Sequence, residues 1–201
     1  MKYAILVHGL STKYTDSSSL DNLSSTLEDM GYTPIHFRYG FLGPVEAHLN
    51  KDISLMLSSM TSRMLGRGDK VCLLGFSNGC AIIDLALQRV SCVHEVQCVY
   101  ISPVLPRDLY VPECVSNMIV FSNPTDCLIR ALSFLRKLST PFLKTRNWGD
   151  AAIHGYSGTN PRVVNITLLE GSWSPILQHN SGLREGGNLH VVISQIRSLL
   201  N

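Results

Sequence analysis

Residues 70–79, which read KVCLLGFSNG, decide how this sequence folds. An apolar run ends at Leu74, and Gly75, Ser77 and Gly79 follow it with the spacing Gly-x-Ser-x-Gly. Between a strand and a helix, this motif predicts a sharp turn that holds the serine hydroxyl above the edge of a sheet. The two glycines let the strand and the helix approach without side-chain clashes. We therefore predict that Ser77 is a nucleophile at the start of a buried helix.

Apolar strands and amphipathic helices alternate along the rest of the chain. The predicted strands are Tyr3–Val7, Thr33–Phe37, Lys70–Leu74, Val96–Ile101, Asn117–Phe121 and Val163–Leu169. The predicted helices run from Asp16 or Ser17 to Met30 and over Val45–Met64, Gly79–Val90, Thr125–Leu138 and Leu189–Leu200. Continuously apolar strands are typical of a sheet covered on both faces. The alternation predicts an α/β fold with a doubly wound, mostly parallel six-stranded sheet and helices on both faces.

The composition fits one globular domain over residues 1–201. The chain is 45% hydrophobic and 16% charged, which is enough apolar material for a full core. Residues 139–160 break the alternation and are predicted to form a loop or partial cover over the carboxyl edge of the sheet.

The charge and the apolar runs exclude several partners. The net charge is +2 without a long run of Lys or Arg, which argues against binding to nucleic acid or an anionic membrane. No signal-peptide pattern and no run long enough for a membrane span is found. We expect a soluble cytoplasmic protein, without stable membrane insertion, that is a monomer or a weak homo-oligomer.

The six cysteines do not form a Cys-x-x-Cys pair, and several lie inside apolar runs. Buried reduced thiols are therefore expected, rather than a zinc site or a disulfide framework. We expect neither a metal nor an organic cofactor.

Seven histidines are available as a general base. On a sheet of this design the acid and then the histidine follow the serine in the chain. His179 is the predicted base, because its loop follows the last strand and emerges at the carboxyl edge. His190, on the solvated face of the last helix, and His154 remain alternatives. His94 precedes the fourth strand and so lies at the wrong end of the sheet.

Asp126, just past the fifth predicted strand, is the predicted acid. Such an acid holds the histidine tautomer and stabilises the imidazolium. An aspartate here could instead only support a helix N-terminus. Glu170 and Asp150 are the alternative acids.

An oxyanion hole requires two backbone N–H donors. The first is predicted at Asn78, directly after the nucleophile. The second is predicted at Leu10, in the loop after the first strand, with Gly9 as the alternative. His8 is expected to shape this loop rather than to titrate in catalysis.

Aromatic side chains near this edge are candidates to line an acyl pocket. They are Tyr39, Phe41, Trp148, Tyr156 and Trp173.

Together these residues resemble the α/β-hydrolase superfamily over nearly the whole chain. The His-Gly pair after the first strand, the serine turn, the acid loop and the histidine loop follow the family's order. The resemblance implies an oxyanion donor at Leu10, the nucleophile at Ser77, the acid at Asp126 and the base at His179. The family's usual first two strands and a long cap insertion are not found. The chain is therefore similar to a compact, minimal member, for which lid gating is not expected.

The predicted activity is that of a serine hydrolase, which cleaves small-molecule carboxylic esters through an acyl-enzyme on Ser77. A thioesterase, an amidase or an acyltransferase would use the same residues. The alternative from another class is a catalytically silent hydrolase fold that acts as a binding module.

Overall fold

The computed structural model describes residues 1–9, 19–40, 50–91, 95–131, 149–169, 179, 183 and 187–200. The strands are β1 (Lys2–Val7), β2 (Thr33–Phe37), β3 (Lys70–Phe76), β4 (Val96–Ile101), β5 (Val115–Ser122) and β6 (Val163–Thr167). The helices are α1 (Ser24–Asp29), α2 (Asn50–Leu65), α3 (Asn78–Leu87), α4 (Asp150–His154) and α5 (Leu189–Leu200). A 3-10 helix, Ser19–Leu23, precedes α1, and residues 127–131 are also helical.

The strands form one parallel sheet in the order β2-β1-β3-β4-β5-β6. The chain moves from β1 to β2 in one direction and from β3 to β6 in the other, which confirms the predicted doubly wound fold. Val7, at the end of β1, lies beside Gly75 of β3. The direction reverses between these two strands, and open α/β sheets bind ligands beyond the carboxyl ends of the strands at such a point.

Helices cover both faces of the sheet. Along β1, Ile5 and Val7 are buried in the core that contains α2 and α3, whereas Ala4 and Leu6 belong to the core that contains α1 and α5. Successive side chains of a strand point to opposite faces, so a strand buried on both sides is apolar at every position. This is why the inner strands β1 and β3 could be predicted from apolar runs, whereas the edge strands β2 and β6 contain polar residues and are only partly buried.

The bounds of the strands agree closely with those predicted. β2, β4 and α5 begin and end at the predicted residues. β3 extends two residues beyond the predicted Leu74, because Gly75 and Phe76 continue to pair with β4. It therefore ends at the residue directly before Ser77. β6 ends at Thr167 instead of Leu169.

Three of the predicted helices lie partly outside the described residues. The first was predicted from Asp16 or Ser17 to Met30, and residues 16–18 of it fall outside; the described part is the 3-10 helix Ser19–Leu23 followed by α1. α2 begins at Asn50, and the predicted helical residues 45–49 fall outside. Within the predicted helix 125–138, residues 127–131 are helical and residues 132–138 fall outside.

The described part of the segment 139–160 contains the short helix α4. Ala152 and Ile153 of α4 pack with Val104 and Ile129 in a small separate cluster. Residues 139–148 are outside the described residues, so the partial cover stays a prediction.

Gly79 brings α3 against the end of β1. A Cβ at this position would overlap the carbonyl oxygen of Val7 and lie 2.6 Å from that of His8. Both obstacles are backbone atoms, which cannot rotate away as a side chain can. The contact therefore requires glycine at position 79.

We expect Gly79→Ala to lower the free energy of unfolding by about 3 kcal/mol, because α3 must move away from β1 to make room. Urea denaturation of the native and variant proteins measures this change. Gln88→Ala, at the exposed C-terminal end of the same helix, is the control and should change stability by less than about 0.5 kcal/mol. Equal stabilities of the Gly79→Ala variant and the native protein would contradict the prediction.

Candidate active site

Ser77 occupies a strained turn between β3 and α3. Its φ of 54° and ψ of −119° are unfavourable for a residue with a side chain, at a cost of about 1–3 kcal/mol. Its N–H donates to the Ile101 carbonyl (2.9 Å), and its own carbonyl accepts from Cys80 (3.2 Å) and Val104 (3.3 Å). These bonds to β4, to the residues after it and to α3 hold the turn in place.

Gly75 is required on the other side of the turn. A Cβ there would lie 2.8 Å from the backbone nitrogen of Cys80 and 2.9 Å from Cδ1 of Ile83. Each glycine of the Gly-x-Ser-x-Gly motif therefore has a steric reason in this structure.

Asp126 and His179 form a buried pair. His179 Nδ1–H donates to Asp126 Oδ2 at 2.6 Å, and the Asp126 side chain is completely buried. Asp126 Oδ1 accepts from the Ile129 N–H at 3.0 Å. The aspartate therefore does both things considered from the sequence: it caps a helical turn and it orients the histidine. With the proton on Nδ1, Nε2 is left as an acceptor.

His179 lies next to the turn at Ser77. Its ring centroid is 5.0 Å from that of Phe76, the residue directly before Ser77. Among the described residues, no hydrogen bond joins His179 to the Ser77 hydroxyl. The structure thus brings Asp126 and His179 together beside the turn, while the contact between serine and histidine is not made.

Ser102 anchors the backbone of His179. It follows β4, has a φ of 46°, and donates from Oγ to the His179 carbonyl at 3.3 Å. Its own N–H donates to the Phe121 carbonyl at 3.0 Å. Ser77 and Ser102 are the non-glycine residues of the described chain with positive φ, and they follow adjacent strands. Ser102 could not be predicted from the sequence, because no local motif indicates it.

Among the described residues, none of the alternative bases and acids forms a hydrogen bond with Ser77, Asp126 or His179. His154 and His190 are exposed, at the end of α4 and on α5. Asp150 is half-buried in the first turn of α4. His94 and Glu170 lie outside the described residues.

The loop after β1 lies against Ser77. A Cβ on Gly9 would be 3.1 Å from Cβ of Ser77 and 3.3 Å from Cδ1 of Phe76. On the other side of the serine, Asn78 opens α3, and the first N–H groups of a helix have no acceptor within it. Gly9 and Asn78, whose backbone N–H groups are predicted oxyanion donors, therefore lie on either side of Ser77. Leu10, the preferred second donor, is outside the described residues.

Tyr39 is packed into this loop. The single hydrogen of its hydroxyl is shared between the carbonyls of His8 (2.7 Å) and Gly9 (3.0 Å). Its ring stacks on that of His8, with centroids 4.0 Å apart. Burial raises the pKa of Tyr39 well above its usual range. We predicted that Tyr39 lines an acyl pocket, but here its polar end is bonded to the backbone of the loop.

Of the other predicted pocket residues, only Tyr156 lies within the described residues. Tyr156 is half-buried and exchanges two hydrogen bonds of 2.9 Å between its backbone and the Asn165 side chain. Phe41, Trp148 and Trp173 lie outside the described residues.

His8 is held as a neutral imidazole. Its Nδ1 lies 2.7 Å from the Gly9 carbonyl, to which only a protonated nitrogen can donate. The Tyr39 N–H faces Nε2 at 3.4 Å, which makes Nε2 the acceptor. Burial is the main cause that lowers the pKa of His8, with a further contribution from Arg38; the Gly9 carbonyl and Asp21 oppose them. This agrees with the expectation that His8 shapes the loop.

A pair of buried side-chain amides connects α2 to the turn at Ser77. Asn50 Nδ2 donates to Asn78 Oδ1 at 2.8 Å, and Asn78 Nδ2 donates to Asn50 Oδ1 at 3.0 Å. Asn50 is the first residue of α2 and was not singled out from the sequence, because nothing local indicates a partner 28 residues away.

Cys72, Cys80 and Cys98 are completely buried, and burial raises the pKa of each thiol. In the described part of the chain, no cluster of three or more His, Cys, Asp or Glu side chains could hold a metal ion. Over the same residues, no helix is both long enough and apolar enough to span a membrane.

The sheet order, the turn at Ser77 and the pair at its edge define an α/β-hydrolase-like fold, as the sequence predicted. Solved structures support this over the full length of the chain. A candidate hydrolase of the α/β superfamily from Xanthomonas campestris pv. campestris is 16% identical, with a TM-score of 0.53 over 98% of this chain and 99% of that one. TT1662 from Thermus thermophilus is 14% identical, with a TM-score of 0.52 over 100% of this chain and 90% of that one.

No family model matches the sequence, and neither does any curated protein. At identities this low the structural likeness shows the fold alone.

We expect the burial of neutral His8 to make folding sensitive to pH. Its pKa is lowered in the folded state, so below the ordinary value of about 6.5 the unfolded chain binds more protons and stability falls. Urea denaturation at pH 7.5 and 5.5 measures the loss. His8→Asn, which does not titrate, should reduce that loss by about 1 kcal/mol. The same loss in both proteins would contradict the assignment of neutral His8.

Proposed function

We propose that the protein is a serine hydrolase that cleaves carboxylic esters of small molecules through an acyl-enzyme on Ser77. The observation that carries the proposal is the buried Asp126–His179 hydrogen bond of 2.6 Å beside the strained turn of Ser77. A buried carboxylate bonded to a histidine at the carboxyl edge of the sheet is the arrangement that a general base requires.

In the first half of the reaction, Ser77 Oγ attacks the ester carbonyl while Nε2 of His179 takes its proton. Asp126 keeps the other proton on Nδ1 and stabilises the imidazolium. His179 then gives its proton to the leaving alcohol, and the acyl group stays on Ser77. Water repeats the sequence on the acyl-enzyme and releases the carboxylic acid.

The negative charge of the tetrahedral intermediate requires N–H donors. Asn78 supplies one, and the loop after β1 supplies the other, through Leu10 or Gly9. The N-terminus of α3 adds a favourable dipole at the same place. Removal of one such donor typically slows an enzyme by about 100-fold or more.

The missing hydrogen bond between Ser77 and His179 is compatible with this role. In ligand-free enzymes catalytic hydrogen bonds are often long and tighten only when substrate is bound. We therefore expect His179 Nε2 to accept a hydrogen bond from Ser77 Oγ in the complex with substrate.

Thioester or amide cleavage and transfer to another acceptor would use the same residues. A panel of esters and thioesters with graded acyl length separates these reactions. The proposal involves no metal or organic cofactor.

We expect Ser77→Ala to abolish both labelling by a fluorophosphonate probe and turnover of p-nitrophenyl butyrate, because the hydroxyl forms the covalent bond in each case. Gel fluorescence and release of p-nitrophenol measure the two effects. Ser116→Ala is the matched control: its hydroxyl bonds the Val96 carbonyl at the opposite edge of the sheet, and both signals should persist.

Labelling or turnover that survives Ser77→Ala would overturn the nucleophile assignment. Folded native protein that is neither labelled nor active would favour the binding module instead.

We expect His179→Ala to lower kcat by about 1,000-fold or more, because no other described group bonded to Asp126 can take the serine proton. The exposed alternatives give matched controls, and His154→Ala and His190→Ala should stay within about twofold of the native kcat. Steady-state kinetics with the same ester measures all three variants. A large loss in either control with a small loss at position 179 would reverse the assignment of the base.

A further inference from the structure

Tyr39 reaches from the end of β2 across to the loop after β1. It lies two residues past Phe37, the last residue of the strand. Four contacts join it to the loop. The hydroxyl is hydrogen-bonded to the carbonyls of His8 and Gly9, the ring stacks on that of His8, and the backbone N–H donates to Nε2 of His8. Because both the backbone N–H and the side-chain hydroxyl of Tyr39 make contacts, they fix the position of the loop more firmly than packing alone.

The hydroxyl contacts have a consequence for the neighbouring N–H groups. A trans peptide unit is planar and carries its C=O and N–H in opposite directions. The hydrogen bond to the His8 carbonyl therefore fixes the direction of the Gly9 N–H. The contact with the Gly9 carbonyl holds the same residue from its other side. The Gly9 N–H is the candidate donor of the loop that lies within the described residues.

The position of the loop adds the second half of the argument. Gly9 is so close to the turn that a Cβ on it would lie 3.1 Å from Cβ of Ser77. Asn78, whose backbone carries the other candidate donor, follows Ser77 directly, and Asn50 fixes its side chain. The Tyr39 hydroxyl thus holds one side of the candidate oxyanion hole, and Asn50 holds the other.

We propose that Tyr39 is a positioning residue. It orients the loop at His8 and Gly9 so that a backbone N–H of this loop can stabilise the oxyanion above Ser77. This inference rests on the proposed serine hydrolase activity. Tyr39 itself does not touch the substrate. Its hydroxyl is bonded to the loop carbonyls, so it acts through the backbone that it holds.

The test is the variant Tyr39→Phe, which keeps the ring and its stacking on His8 but loses the hydroxyl. We expect kcat for p-nitrophenyl butyrate to fall about tenfold or more, with KM within about twofold, because the lost contact matters most when the oxyanion forms. The Ki of a trifluoromethyl ketone, whose adduct on Ser77 carries an oxyanion, should weaken by a similar factor. A purely structural role would lower the melting temperature without this joint change in kcat and Ki.

Two further variants keep the test decisive. Phe37→Leu changes the neighbouring ring, whose centroid is 6.4 Å from that of Tyr39, and should leave kcat within about threefold of native. Replacement of Tyr39 by 4-aminophenylalanine restores an N–H donor at the same place and should keep kcat within about fivefold of native. This variant also decides the matter if Tyr39→Phe does not fold: a folded amino variant with kcat more than tenfold below native overturns the proposal.

The outcomes separate the two proposals. If native protein is labelled at Ser77 and turns over ester, an unchanged kcat in Tyr39→Phe overturns the role of Tyr39 alone. If native protein neither reacts with the probe nor turns over ester, the proposed function and this inference fail together.

Discussion

The close approach of α3 to the end of β1 is the constraint on which the site depends. It exists because position 79 has no side chain that could collide with the carbonyls of Val7 and His8. The approach sets Ser77 beside the loop that follows β1 and fixes the distance between the two sides of the candidate oxyanion hole. It also places the N-terminus of α3 at the point where the sheet reverses its winding, the general location of ligand sites in such folds.

Most of the fold could be predicted because its determinants are local. Strands buried on both faces are apolar at nearly every position, and the run Val71–Leu74 of β3 shows this pattern. The predicted bounds of β2 and β4 agree with the structure to the residue, although β2 is an edge strand that is only partly buried. The end of β3 was missed because Gly75 and Phe76 belong to the motif as well as to the strand. Pairing with β4 decides their conformation, and local sequence does not encode that pairing.

The candidate site divides in the same way. Ser77 could be found from its motif, and Asp126 and His179 from the order of loops at one edge of the sheet. The hydrogen bond between Asp126 and His179 agrees with that expectation, although the catalytic roles stay a proposal. Asn50, Ser102 and the role of the Tyr39 hydroxyl could not be found, because each depends on a partner far away in the sequence. Parallel strands bring such partners together through crossover connections that local patterns do not specify.

The site is also rich in buried polar groups that satisfy one another. The amides of Asn50 and Asn78 pair reciprocally, and both oxygens of Asp126 accept hydrogen bonds. In a medium of low dielectric such networks are rigid when they are complete and costly when one member is lost. They give the carboxyl edge of the sheet a fixed geometry that apolar packing alone would not specify.

The positive φ angles of Ser77 and Ser102 create a conflict between the stability of the fold and the retention of the two hydroxyl groups at this edge of the sheet. Glycine would relax the backbone at either position, yet it would delete the hydroxyl that each turn presents. Under the proposed mechanism the Ser77 hydroxyl attacks the ester, and the Ser102 hydroxyl holds the backbone of His179. Directed evolution for heat resistance alone would therefore be drawn toward glycine at two positions whose hydroxyls the proposed reaction depends on. If the proposal holds, selection for thermal tolerance in this scaffold has to be coupled to a screen for turnover.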